Sequence, residues 1–172
     1  KRAEETIQSL LRIGKRLNST LNLNILMDAL VEESIQLVGA EGGFSGLRAP
    51  EGLASQKYFR NSTIRPFKQC WPPGQGVPGW LLLHKAPYRT NDASRDKQIT
   101  HEVFENLGIR SVISTPILDN QEDVIGFFEV HNKIGTSGFT QSDQDTLTAV
   151  AQTASIAIQN ARLYEDAERR RQ

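Results

Sequence analysis

The sequence predicts an α+β domain: an antiparallel sheet with terminal helices on one face and, on the other, a layer of loops and short helices that holds a ligand pocket. Three observations carry this. Both ends of the chain repeat apolar residues at steps of three and four, the spacing of a helix seam. Between them lie short apolar runs parted by turn residues, which read as strands joined in antiparallel hairpins. The middle is rich in proline and glycine, so it supplies loops rather than the centre of a sheet. Helices at the two ends can together cover one face only, which leaves the other to that loop layer.

At the N-terminus, Ile7, Leu10, Gly14, Leu17 and Leu21 form a seam, broken at Asn18, Ser19 and Thr20. A second helix is expected from about Asn24 to Val38, ended by Gly39, a residue that tolerates the left-handed conformation of a helix terminus. The segments GGFSGLRAP and SQKYFRNS flank a Pro50-Glu51-Gly52 turn and read as a hairpin. Ile64 to Gly79 reads as a loop containing Cys70 and Trp71, running into a short helix from Val77 to His84 with Pro78 in its first turn. A brief strand at Pro87 to Thr90, a polar stretch and a short helix at about Ile99 to Leu107 follow. Arg110 to Leu118 and Val124 to Val130 are strands joined by a turn at Asp119 to Asp123. A long helix from Ser142 to about Arg170 closes the chain, opened by capping boxes at Thr140 with Asp143 and Ser142 with Asp145.

The last helix carries a second seam, Leu147, Val150, Ala154, Ala157, Ala161 and Tyr164. Both seams predict terminal helices that lie together and meet the same pair in a second copy, a homodimer that charged residues at Leu17 and Ala154 would split. The domain is expected at 23–164, with a linker or dimerisation helix at 1–22 and the start of a signalling helix at 165–172.

Twenty basic and twenty acidic side chains cancel, which leaves no global field to favour nucleic acid or an acidic membrane. No apolar run approaches the ~20 residues of a membrane span. A lone cysteine, Cys70, excludes an internal disulfide and fits a reducing, cytoplasmic setting. His84, His101 and His131 are too scattered for a metal site, and no nucleophile elbow or phosphate loop is present, so the reading is of a domain without catalysis of its own.

The candidate ligand residues fall in three places. Glu129 interrupts Phe127, Phe128 and Val130, and a carboxylate among such residues is costly to bury without a partner. Tyr58, Phe59, Trp71 and Trp80 offer rings that could stack on a heterocycle. Asn91, Asp92 and Arg95 lie in a polar loop, with Arg95 the natural partner of a phosphate or carboxylate. The spacing of Lys133 and Asp143 invites an ion pair across the loop between the last strand and the last helix.

Over roughly Leu23 to Tyr164 the chain resembles a GAF domain, the sensory module of cyclic-nucleotide phosphodiesterases, adenylyl cyclases, phytochromes and many bacterial sensor kinases. Asn132, Lys133, Phe139 and Asp143 match the Asn-Lys, Phe, Asp-Glu motif of the cyclic-nucleotide-binding members, with Gln144 where those have Glu. The resemblance implies a Lys133–Asp143 salt bridge, and it places Glu129 at the glutamate that touches a bound purine. The segments GQGVPGW, Asn91-Asp92 and SVISTPI also resemble family landmarks, the last bringing in Ser111 and Ser114 as candidate ligand contacts. Glu105 and Ile109 stand nearest the positions of the nucleotide-contacting threonines. Phytochrome-like members carry a bilin on a cysteine commonly followed by histidine; here Trp71 follows Cys70, so a covalent bilin is not implied. The resemblance implies a small-molecule sensor, for a cyclic nucleotide or another purine-sized compound, attached to an output module such as a kinase, cyclase, phosphodiesterase or transcription regulator. A ligand-free dimerisation spacer, its pocket filled by Trp71 or Phe67, is the alternative.

Overall fold

Alternation along one strand divides the molecule into two cores. In the strand Val124–Lys133, Phe128 and Val130 pack into one apolar cluster, whereas Phe127 packs into another on the opposite face; side chains at successive positions of a strand point to opposite faces. The computed structural model describes residues 2–99, 105–135 and 137–171.

In chain order the elements are helices α1 (Arg2–Asn18) and α2 (Leu23–Val38), then strands β1 (Ala40–Ala49), β2 (Gly52–Arg60) and β3 (Thr63–Trp71). Helix α3 (Gly76–His84), strand β4 (Tyr88–Thr90) and a 3-10 turn at Ala93–Arg95 come next. Strands β5 (Val112–Leu118) and β6 (Val124–Lys133) precede the long helix α4 (Gln141–Arg171). The strands form one six-stranded antiparallel sheet in the order β3-β2-β1-β6-β5-β4. This places the last long strand at the centre, between the first hairpin and β5.

Helices α1, α2 and α4 cover one face. Ile13 and Leu17, Leu26 and Leu30, and Leu147, Val150, Ala154 and Ile158 meet Ile113, Phe128 and Val130 of the sheet. Helix α3 and the segments around it cover the other, where Val77, Leu81, Ala93 and Ile99 meet Phe44, Tyr58, Val112 and Phe127. The helix ends follow local chemistry. Asn22 caps α2 by accepting from the Ile25 N–H at 3.1 Å, and Gly39 ends it at a φ of 67°. Thr140 and Asp143 form a reciprocal capping box for α4, at 3.1 and 3.0 Å.

Two expectations need correction. Ile64–Trp71, read as loop, belongs to strand β3; it lies at the sheet edge and places Pro66 opposite Lys57, beside a register shift in β2. Proline is tolerated at edges and bulges because no ladder partner requires its missing N–H. The middles of the helical seams are spent within the chain: Leu17 and Ala154 are both fully buried in the helix-side core, so charging them would unfold the domain rather than split a dimer, whereas Ile7, Leu21 and Tyr164 of the same seams are exposed. Of the short helix expected at Ile99 to Leu107, 105–107 are helical and 100–104 lie outside the described residues.

The end of β6 is tied to four other segments. Asn132, fully buried at a φ of 61°, accepts from the Arg110 and Ser111 N–H groups at 2.6 and 3.3 Å. It donates to the Gly108 carbonyl at 2.9 Å and to Glu41 at 3.3 Å. Glu41 also takes Arg60 and Arg110, at 3.3 and 3.2 Å, and Arg60 reaches the Leu107 carbonyl. Lys133 donates to the Val38 carbonyl at the end of α2 and pairs with Asp143 at 3.0 Å. Two predictions follow from this cluster. Replacing Asn132 with Ala strands two backbone donors and one acceptor, and should cost about 3 kcal/mol in urea unfolding. Burial raises the Glu41 carboxyl, but hydrogen bonds from Arg110, Asn132 and Arg60 outweigh it and hold the group below its ordinary 4.5. Its stabilisation is therefore complete above that value and lost as pH falls through the folded pKa. Melting midpoints taken from about pH 5 to pH 3 should fall more steeply for the wild type than for Glu41→Gln.

Candidate ligand site

The candidate site lies at mid-sheet on the α3 side, where β1, β6 and β5 run side by side. Glu129 of β6 is flanked in register by Phe44 of β1 and Ser114 of β5. Glycine is required at position 43 of β1, since a Cβ there would stand 2.3 Å from the Glu129 carbonyl oxygen. Glu129 is 1% exposed, and one of its oxygens, Oε2, lies 2.6 Å from His131 Nε2. The other nitrogen of that ring, Nδ1, is 2.9 Å from the Tyr58 hydroxyl. A hydrogen-bonded row thus runs from β2 to β6: Tyr58, His131, Glu129. Burial pushes the Tyr58 phenol far above its ordinary 10.0, the Arg60 charge offsetting only part, so the hydroxyl keeps its proton.

Two polar atoms at this spot lack partners among the described residues. They are Oε1 of Glu129 and the hydroxyl of Ser114, its register partner, which is fully buried. Ser34 and Thr115 hydroxyls are unpartnered as well; Thr115 packs beside Phe128 in register, and Ser34 belongs to α2 on the helix side.

On the β1–β2 side of Glu129 the surface is aromatic. Trp71 stacks on Phe44 at 5.4 Å between ring centres, Phe67 meets Phe44 edge-on at 5.0 Å, and the Tyr58 and His131 rings lie nearly parallel at 5.6 Å. Trp71 and Phe67 are therefore turned inward over the sheet. On the β4 side, Trp80 packs on His84 and Tyr88, and Tyr88 donates to Asp96 at 2.6 Å. Phe59 lines the opposite face, in a groove of about 570 Å³ between α2 and the β1–β2 hairpin.

The remaining candidates occupy other positions. Ser111 accepts from the Lys133 N–H at 3.1 Å, which engages its hydroxyl in the β5–β6 junction. Asn91 exchanges hydrogen bonds with the Phe139 backbone at 2.8 and 3.0 Å and so fastens the loop before α4. Gln144, at the motif's glutamate position, accepts from Arg89 at 3.0 Å. Asp92 accepts from Ser94 and sits 3.7 Å from Arg95, whose side chain is 87% exposed. The structure brings Glu129, Ser114, Tyr58 and Trp71 to one face, whereas Asn91 is engaged with Phe139 and Asp92 and Arg95 are exposed in the loop after β4. His101 lies outside the described residues, and among those described no His, Cys, Asp or Glu group is arranged to hold a metal ion. Likewise, no described helix is long and apolar enough to cross a membrane.

Sequence reasoning missed His131. It stands two residues beyond Glu129 on the same strand, so period-two geometry already set both side chains on one face. That signal was available; the Tyr58 contact, 73 residues away in sequence, was not.

Comparison with known proteins identifies the fold and the family. The chain is 30% identical over 154 residues to dual 3',5'-cyclic-AMP and -GMP phosphodiesterase 11 of Drosophila melanogaster, a match that covers 84% of this chain and 10% of that protein. The chain thus spans about a tenth of that relative. Its fold matches the GAF domain of an Acinetobacter phosphoenolpyruvate-protein phosphotransferase with a TM-score of 0.74 at 15% identity, over 94% of this chain and 98% of the other. It also matches free methionine-R-sulfoxide reductase of Neisseria meningitidis, solved in complex with its substrate, at a TM-score of 0.74 and 15% identity over 95% and 94% of the two chains. The family model for the GAF domain covers residues 20–159, and the chain belongs to that family.

Proposed function

We propose that this GAF domain is the small-molecule sensor of a larger signalling protein, that its ligand binds over β5 and β6, and that ligand state leaves through α4. The observation that carries the reading is the pair of unpartnered atoms, Glu129 Oε1 and Ser114 Oγ, buried side by side on the α3 face. An unsatisfied buried acceptor costs about 1–3 kcal/mol, and a folded protein that retains one invites a functional explanation. A ligand that offers N–H or O–H groups there recovers that cost. A purine-sized compound suits the surrounding rings, and cyclic nucleotides are the first candidates because Asn132, Lys133, Phe139 and Asp143 match the motif of nucleotide-binding members. Asn91, Asp92 and Arg95 then border the pocket as contacts for a phosphate or another polar edge.

Transmission runs through β5. Its Ser114 faces the site, whereas Ile113 and Ile117 pack in the helix-side core with Leu147, Val150 and Ala154 of α4. Ser155 of α4 also donates to the Leu118 carbonyl at the end of β5. A ligand that orders the segment from Pro72 to Leu107 and shifts β5 biases the packing of α4, which is the coupling an allosteric module requires. The output module, a histidine kinase, nucleotide cyclase, phosphodiesterase or transcription regulator, carries any catalysis.

Dimerisation supplies matched ends for such a signal. Leu11 and Ile156, 67% and 60% exposed, each lie one turn from the Gly14–Thr153 contact between α1 and α4, and Ile7 and Leu163 extend the exposed apolar pattern. These residues are the surface offered to a second copy in the cytoplasmic protein.

Native mass spectrometry of the domain purified without denaturation, followed by melting scans with cyclic AMP and cyclic GMP, tests the sensor reading. A retained small molecule or a raised midpoint is expected. Glu129→Ala should abolish the ligand response by weakening binding at least about tenfold, while its far-ultraviolet circular dichroism matches wild type; an unchanged affinity defeats the assignment. Leu11→Glu with Ile156→Glu should turn a sedimenting dimer into a folded monomer, and a persisting dimer would move the interface elsewhere.

A further inference from the structure

The row Tyr58, His131, Glu129 is more elaborate than a buried carboxylate needs. If His131 were present only to neutralise Glu129, the economical arrangement would satisfy both carboxylate oxygens. Instead Nε2 engages Oε2 alone at 2.6 Å, and Oε1 has no partner among the described residues. His131 is itself locked: it is fully buried, bonded at Nδ1 to Tyr58, and packed against both the Tyr58 ring at 5.6 Å and the Phe44 ring at 5.5 Å. Tyr58 is held in turn by Phe67 edge-on at 5.8 Å and by the Arg65 guanidinium 5.7 Å from its ring centre. A carboxylate gripped at one oxygen by a ring that cannot turn presents its second oxygen in one direction.

The proton count makes this orientation chemically specific. With a neutral His131 and an ionised Glu129, the Tyr58 hydroxyl donates to Nδ1 and Nε2–H donates to Oε2, so Oε1 retains only lone pairs. The other ring tautomer, with Nδ1–H toward the tyrosine oxygen, turns Nε2 into an acceptor facing Oε2 and keeps the 2.6 Å contact only if the carboxyl takes up one further proton at Oε2.

We propose that His131, backed by Tyr58, is the positioning residue of the sheet site: it aims Glu129 Oε1 as a fixed acceptor, so that the ligand bound there must present an N–H or O–H donor. The proposal rests on the reading of Glu129 as a ligand contact. It adds the groups that fix its direction and the chemistry it selects. Pre-aimed polar groups bind more tightly because less orientational freedom is lost on complex formation.

The test uses the whole chain with three single variants, Tyr58→Phe, His131→Gln and Glu129→Gln, and the two doubles that carry Glu129→Gln. Tyr58→Phe removes one oxygen and keeps the ring, so it secures the experiment if His131→Gln folds poorly. Ring nitrogen spectra of protein labelled at histidine come first, without ligand. Glu129→Gln should shift His131 Nε2 and Tyr58→Phe should shift Nδ1; resonances unmoved by both would overturn the row. Affinities for cyclic AMP and cyclic GMP come second. Tyr58→Phe should weaken binding about threefold and His131→Gln about tenfold, and both losses should vanish in the Glu129→Gln background, because a residue that acts through another has no effect once that other is gone. Losses that persist there, merely adding, would mark a structural role and overturn the proposal. If neither nucleotide binds, the nucleotide reading of the site falls, while the ring spectra still decide the row.

Discussion

The turn at Asn132 and Lys133 is the constraint on which the rest of the molecule depends. A residue in the left-handed region, fully buried at the end of the central strand, must satisfy its own polar atoms and those of the chain crossing it. Asn132 does so by accepting two backbone N–H groups and donating to a carbonyl and to Glu41. The adjacent Lys133 reaches the last carbonyl of α2 and the capping carboxylate of α4. Two helices, the central strand and the entry to β5 are thereby fixed by two consecutive side chains. Because Asp143 serves both the capping box and the ion pair, the start of α4 cannot drift without breaking a bond to β6.

That fixed frame lets the sheet hold an expensive side chain. Glu129 lies three residues before the turn, with one oxygen paired and one not. A surface carboxylate would meet water; this one meets Ser114, Phe44 and the histidine beside it. The same low-dielectric surroundings that strengthen the 2.6 Å contact to His131 make the unpaired oxygen costly. Strand β5 then lies between the polar spot and the helix that leaves the domain, facing one with Ser114 and the other with Ile113 and Ile117.

Legibility followed sequence separation. The ends of α2, the capping box of α4 and the β1–β2 and β5–β6 hairpins are set by residues within a few positions of one another, and each was readable from spacing and residue type. The Lys133–Asp143 pair spans ten residues and was readable because one loop joins them. Strand β3 was not, because Pro66 within it and the proline- and glycine-rich stretch that follows argue against a central strand and nothing local announces an edge. Nor was the fate of the helical seams. A three-four repeat says that a helix packs on something, without saying whether that is its own sheet or a second chain, and Leu17 and Ala154 proved to be the former.

By itself the sequence determined the α+β class, the helix-sheet-helix order, the oddity of Glu129 and the residues of the β6–α4 clasp, since each depends on periodicity or on near neighbours along the chain. Only the tertiary structure decided that β6 is central, that Ser114 stands beside Glu129, and that Tyr58 closes a row through His131. Those facts depend on strand order and register, and register is set by the combined fit of whole faces, a property that no single stretch of sequence contains.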